Sequence, residues 1–119
     1  MNTSSIIRWF QFRTRAVRTT RYEILLPLTY NDGAEIEQEK FDQTAEELSE
    51  RFGAITEDTV RITGTWKYGG MRYRDSLLRM RVDTTDPAAS DFIKAQKNLW
   101  KERFRQIDIW ITAHQIDIL

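Results

Sequence analysis

Between Val60 and Val82 the chain reads VRITGTWKYGGMRYRDSLLRMRV, and the reading of this stretch decides the fold. Val60, Ile62, Trp66 and Tyr68 alternate with Arg61, Thr63, Thr65 and Lys67, the two-residue period of a strand with one face buried. Gly64 falls on the apolar side. Gly69-Gly70 forms a hairpin turn, and the chain returns from Met71 to Asp83. On the return strand the apolar set is Leu78, Met80 and Val82. A two-residue turn would instead bring Leu77, Arg79 and Arg81 beside the apolar face of the first strand. The sequence therefore predicts either an odd-numbered loop or a bulge near Arg74–Ser76 that exchanges the faces.

Working outward, Tyr22, Ile24, Leu26 and Leu28 mark a strand, with Pro27 ending the pairing on one side. Asn31-Asp32-Gly33 reads as a turn. Phe41, Ala45, Leu48 and Phe52 recur at spacings of 4, 3 and 4, the stripe of an amphipathic helix. Glu35, Glu37 and Glu39 stand at its start, where the helix dipole favours anions, and Gly53 suits a left-handed cap at its end. Asp86-Pro87 signals a second helix, with Asp as cap and Pro at the first helical position, running to about Arg105. Phe92, Ile93, Ala95, Leu99, Trp100 and Phe104 form its inward arc, with Lys94, Lys97, Lys101 and Arg105 opposite. Gln96 and Arg103 fall inside the arc and need partners or a route to water. A last strand spans Ile107–Leu119, with Ile107, Ile109 and Ile111 on one face. Ile116 and Ile118 fall on the other parity, which requires a bulge near His114 or a terminal extension.

The order strand, helix, strand, strand, helix, strand packs most simply as a ferredoxin-like α+β sandwich. Its antiparallel sheet has strand order 4-1-3-2, with both helices on one face. Residues 22–119 form this single domain, preceded by a basic arm of residues 1–21.

That arm holds five Arg and no acid, and carries the apolar patch Ile6, Ile7, Trp9, Phe10 and Phe12. The net charge of the 119-residue chain is zero, but residues 31–58 sum to −8 and residues 59–119 to +4. Such segregation suggests an electrostatic interaction surface. With no Cys, disulfides, thiolate metal centres and thiol catalysis are excluded, and a single His excludes a multi-histidine centre within one chain. No apolar run approaches the length of a membrane span, and Arg8 interrupts the apolar run of the arm, so a secretory signal is not expected. The cytoplasm is the expected location.

Four segments together resemble a group of small bacterial proteins of unknown function. They are the early strand ending at Asn31-Asp32-Gly33, Gly64-Thr65-Trp66 before the Gly-rich turn, Asp75-Ser76 before Leu77-Leu78, and Trp100-Lys-Glu-Arg-Phe-Arg-Gln106. The resemblance covers most of residues 22–119. It implies the architecture above and supplies no activity. Family members often carry a secretion signal, from which the Arg-rich start departs.

No residue set forms a catalytic motif, and neither a metal nor a cofactor is expected. His114 is the one side chain that ordinarily titrates near neutrality, but no nucleophile motif accompanies it. Gly64 and Gly69-Gly70 join two strands and lack the Gly-Lys-Ser/Thr of a phosphate loop. Trp66, Tyr68, Arg72, Tyr73 and Arg74 concentrate at one end of the sheet, where aromatics and guanidinium groups suit a small anionic or aromatic ligand. Arg61, Arg79, Arg81, Trp110 and His114 are expected on the uncovered sheet face, as an interface or anion-binding surface. The leading expectation is a non-enzymatic ligand-binding or interaction domain, a homo-oligomer joined as a dimer through that face or an edge strand. The alternatives are a nucleic-acid-binding protein using the arm and the sheet-face arginines, and a small enzyme with a cavity in an α+β dimer.

Overall fold

The computed structural model describes residues 18–68 and 71–119, and the side chains of these residues except those of 62–75. Strand β1 (Thr19–Pro27) leads through a short loop into helix α1 (Gln38–Phe52). Strands β2 (Thr56–Tyr68) and β3 (Met71–Thr84) form the hairpin, followed by helix α2 (Ala89–Arg103) and strand β4 (Trp110–Ile116). The four strands form one antiparallel sheet in the order β2-β3-β1-β4, the predicted ferredoxin-like arrangement. No helix among the described residues is long and apolar enough to cross a membrane.

The core follows from side-chain parity. Tyr22, Ile24 and Leu26 of β1 and Met80 and Val82 of β3 are buried on one sheet face. Phe41 and Leu48 of α1, Ile93 and Trp100 of α2, and Phe104 just beyond complete the same cluster, so both helices cover that face. Phe41 meets Phe104 at 5.3 Å between ring centres, and Phe52 meets Phe92 edge-on at 5.6 Å, joining the helices to each other. Arg103 does find partners inside the apolar arc. It donates to Oγ1 of the fully buried Thr44 at 2.7 Å and pairs with Glu47. Thr44 in turn donates to the Lys40 carbonyl at 2.8 Å.

Several expectations need correction. β1 begins at Thr19, so Thr19–Arg21, assigned to the arm, are strand residues paired with β3 and β4; residues 1–17 lie outside the described residues. Asp86-Pro87 opens a turn before α2 rather than its first turn. The Asp86 carboxylate accepts from the Ala88 N–H at 2.9 Å, and the helix starts at Ala89. The apolar arc of α2 is narrower than read: Ala95 is exposed and Leu99 is 52% exposed, while Ala89 is fully buried. Ile107 is 90% exposed and precedes β4. The β4 register is continuous from Trp110 to Ile116, so no bulge occurs at His114, and Ile116 shares the parity of Trp110.

The hairpin parity resolves in neither predicted way. Tyr68 pairs with Met71, and the register shifts in β2 between Gly64 and Tyr68. That shift amounts to two residues, and an even shift leaves the faces unchanged. Val60 accordingly lies opposite Leu77, on the face of Arg79 and Arg81, whereas Arg61 lies opposite Ser76, on the parity of Leu78 and Met80. The expected placement of Val60 toward the helices, and of Arg61 on the open face, is reversed. β3 pairs with β1 only from Leu77 onward, so the hairpin continues past β1 as a two-stranded ribbon for about 20 Å.

Candidate functional site

Residues directly opposite in an antiparallel sheet share a face, so the register lays out the open side row by row. One row holds Trp110, Leu25, Arg79 and Asp58; the next holds Thr112, Glu23, Arg81 and Thr56; a third holds His114, Arg21 and Asp83. Each arginine faces a carboxylate on the neighbouring strand. Arg79 grips Asp58 with two hydrogen bonds of 2.9 and 2.5 Å, and Arg21 grips Asp83 with two of 2.8 and 3.0 Å. Arg81 Nε lies 3.3 Å from Glu23 Oε1, near enough for charge attraction but too poorly aligned for a hydrogen bond. The guanidinium hydrogen bonds hold the Asp58 and Asp83 carboxyls below their usual range. Three cations against three anions make this face an ion-pair ladder rather than a basic surface. Trp110 stands 62% exposed at one margin, and His114 is exposed with Nε2 3.1 Å from Thr112 Oγ1. No group of metal-ligating side chains occurs among the described residues. Trp66, Tyr68, Arg72, Tyr73 and Arg74 belong to the ribbon beyond β1, and their side chains lie outside the described residues.

A second constellation escaped the sequence reading. After β1 the chain makes a tight loop: Tyr30 N–H donates to the Ala34 carbonyl at 2.8 Å, and Ile36 N–H to that of Leu28 at 3.1 Å. Gly33 turns it with φ +88°, and Asp32 accepts from the Ala34 N–H at 2.9 Å. This loop buries Tyr30 to 8% exposure beside the start of α1 and the end of α2. The Tyr30 hydroxyl donates to the Glu37 carboxylate and accepts from Lys40 Nζ at 2.5 Å. Lys40 Nζ is 5.0 Å from the Tyr30 ring centre, which puts it at the oxygen end of the ring rather than over the face. The Arg105 guanidinium takes the ring, 4.8 Å from its centre. Glu37, half exposed, is held ionised below the usual carboxylate range, chiefly by the Tyr30 hydroxyl and secondarily by its own backbone N–H. The result is one carboxylate and two cations around one phenol, with Lys40 Nζ 3.6 Å from Glu37 Oε2 as an ion pair and the Arg105 guanidinium as the remaining cation.

Arg105 is unusual in its backbone. Gln106 N–H donates to the Lys101 carbonyl at 2.8 Å and Arg105 N–H to that of Glu102 at 3.2 Å, the paired bonds of a Schellman helix end. Such an end needs a left-handed residue, ordinarily Gly, and here Arg105 fills it with φ +52°. A long side chain just past the second helix, at a position that favours glycine, is the sequence signal that could have drawn attention to it.

No family model matches the chain, and no curated protein matches it. The fold nevertheless recurs among solved structures. A phage SAM lyase in complex with S-methyl-5'-thioadenosine superposes with a TM-score of 0.65 at 13% identity, over 84% of this chain and 83% of that one. A phage SAM lyase in its apo state gives 0.61 at 15% identity, over 85% and 83%. A Bacillus cereus protein related to NIF3 gives 0.59 at 10% identity, over 85% of this chain but 26% of its own. At these identities the likeness establishes a shared fold. It also overturns the expectation of a non-enzymatic binding or interaction domain, because two of these structures are of an enzyme matched over most of both chains. Of the surface expected for the nucleic-acid alternative, the sheet-face Arg79 and Arg81 stand beside neighbouring carboxylates, and residues 1–17 of the arm lie outside the described residues.

Proposed function

We propose that this chain is an enzyme of the SAM lyase type, cleaving a sulfonium nucleoside such as S-adenosylmethionine to a thioether nucleoside. The observation that carries the reading is the fold shared with phage SAM lyase across more than four-fifths of both chains. The resemblance to small bacterial proteins of unknown function is compatible with it and adds no activity.

The chemistry asks little of the protein. The bond between sulfur and the aminocarboxypropyl carbon breaks with its electron pair going to sulfur, so a cation becomes a neutral thioether. The four-carbon fragment is left neutral at carbon by losing a proton or by closing onto its own carboxylate. Water is not a reactant in that step, and the protein's task is to hold a charged substrate in a reactive conformation. The Tyr30 cluster has charges suited to this: the ionised Glu37 carboxylate for the cationic groups of the substrate, and Lys40 and Arg105 for an anionic one.

The test is incubation of the purified chain with S-adenosylmethionine, with S-methyl-5'-thioadenosine quantified by liquid chromatography and mass spectrometry. The expected result is release in proportion to protein concentration, well above the buffer blank, and strongly reduced in Glu37→Gln. Release at the rate of the blank would overturn the reading.

A further inference from the structure

We propose that Arg105 and the depression beside it form an oxyanion site, which on the function proposed above receives the carboxylate of the substrate's amino-acid tail. Three observations converge on it. The residue occupies a left-handed backbone position at φ +52°, where a non-glycine residue is disfavoured. A residue kept in such a conformation points to a use for its side chain. Next, the guanidinium is held against the Tyr30 ring, but no hydrogen bond or ion pair within the described residues engages its N–H groups. A guanidinium fixed on one face and free at its edge is pre-organised for two parallel hydrogen bonds to a carboxylate or phosphate. Finally, Arg105 lines a surface depression with Asn98, Lys101, Glu102, Gln106 and Ile107. Lys101 adds a second cation and Asn98 an amide donor. Glu102 is the single carboxylate there, so positive charge prevails.

A cation at a helix C-terminus also interacts favourably with the helix dipole. That effect would be served equally by Lys101 and Arg103, which are already in the last turn. It does not require an arginine in the strained position beyond them.

The experiment is a ¹H–¹⁵N NMR titration of the full chain with inorganic phosphate and, separately, with acetate, each matched in ionic strength by chloride. Saturable shifts centred on the Arg105 and Gln106 amides and the Arg105 Nε–H are expected, and they vanish in Arg105→Gly, a variant whose backbone suits the helix end. Saturation by both anions, or by acetate alone, identifies a site open to carboxylates; saturation by phosphate alone overturns the assignment to a substrate carboxylate. Shifts that do not saturate, or that persist in the variant, overturn the site altogether. A kinetic arm separates this proposal from the enzyme reading. If S-adenosylmethionine is turned over, Arg105→Gly raises KM about 10-fold to 100-fold and leaves kcat nearly unchanged, as loss of a charge-assisted hydrogen-bond pair requires. An unchanged KM overturns the carboxylate role. Without turnover the enzyme reading fails, and the NMR result alone decides the anion site.

Discussion

The two helices end on opposite solutions to the same backbone problem. α1 terminates at Gly53 with φ +85°, its N–H bonded to the Ser49 carbonyl at 2.7 Å, and open space where a Cβ would be. Gly53→Ala therefore meets no clash, and its cost is that of the left-handed conformation itself, about 1 kcal/mol. Chemical denaturation should show a lowered midpoint with an unchanged slope. Arg105 accepts that conformational cost in place, and the Tyr30 ring beneath it is what distinguishes the two helix ends. Nothing in the sequence singled out Tyr30. Its importance comes from contacts to Glu37, Lys40 and Arg105, separated from it by 7, 10 and 75 positions, and no local pattern reports the last of these.

At the scale of elements, periodicity located every strand and helix, because the helices and the two central strands each bury a clear face. The parity of β2 was misread for a physical reason. β2 is an edge strand whose outer half extends beyond β1 and is not sorted by the core, so its apolar residues do not mark the helix side. Charge was misread in the same way. Sums over sequence segments separate acids from bases, whereas the sheet sets Arg21 against Asp83, Glu23 against Arg81 and Asp58 against Arg79. This ladder has a consequence for acid stability. The Asp58 and Asp83 pKa values are lower in the folded chain than in the unfolded chain, so their contribution is complete above the unfolded value near 3.8–4 and lost as pH falls through the folded one. Thermal melts should show little pH dependence from these groups between about pH 5 and 7 and a steep decline below about pH 4. Asp58→Asn together with Asp83→Asn should lower the neutral plateau and flatten that acid limb.

For the molecule as a whole, the architecture was legible in full from strand and helix order. The candidate site was not, because it is assembled from the β1–α1 loop and the end of α2, which meet only in the fold. The sites that sequence did suggest fall in two places. The sheet-face residues Arg79, Arg81, Trp110 and His114 share one surface, with Arg61 on the opposite parity. The aromatic and arginine cluster of the hairpin lies along the ribbon past β1. An ordinary Coulombic grip on polyanions would need unpaired charge on the sheet, and the ladder leaves little of it.

Among the described residues, the long outer strand β2 has no strand partner on its outer side, and an unpaired row of backbone N–H and C=O groups can recruit another chain and seed fibrils. Glu57, Asp58 and Arg61 act as gatekeepers along it, spacing charge beside Val60. The Asp58 charge, held by Arg79, is lost once the pH falls through its lowered folded value. Incubation in acid strong enough to protonate Asp58 should therefore bring a rise in thioflavin fluorescence after a lag, and samples held at neutral pH should show no rise. Thr59→Lys, which plants an acid-resistant charge at an exposed position on this edge, should lengthen the lag.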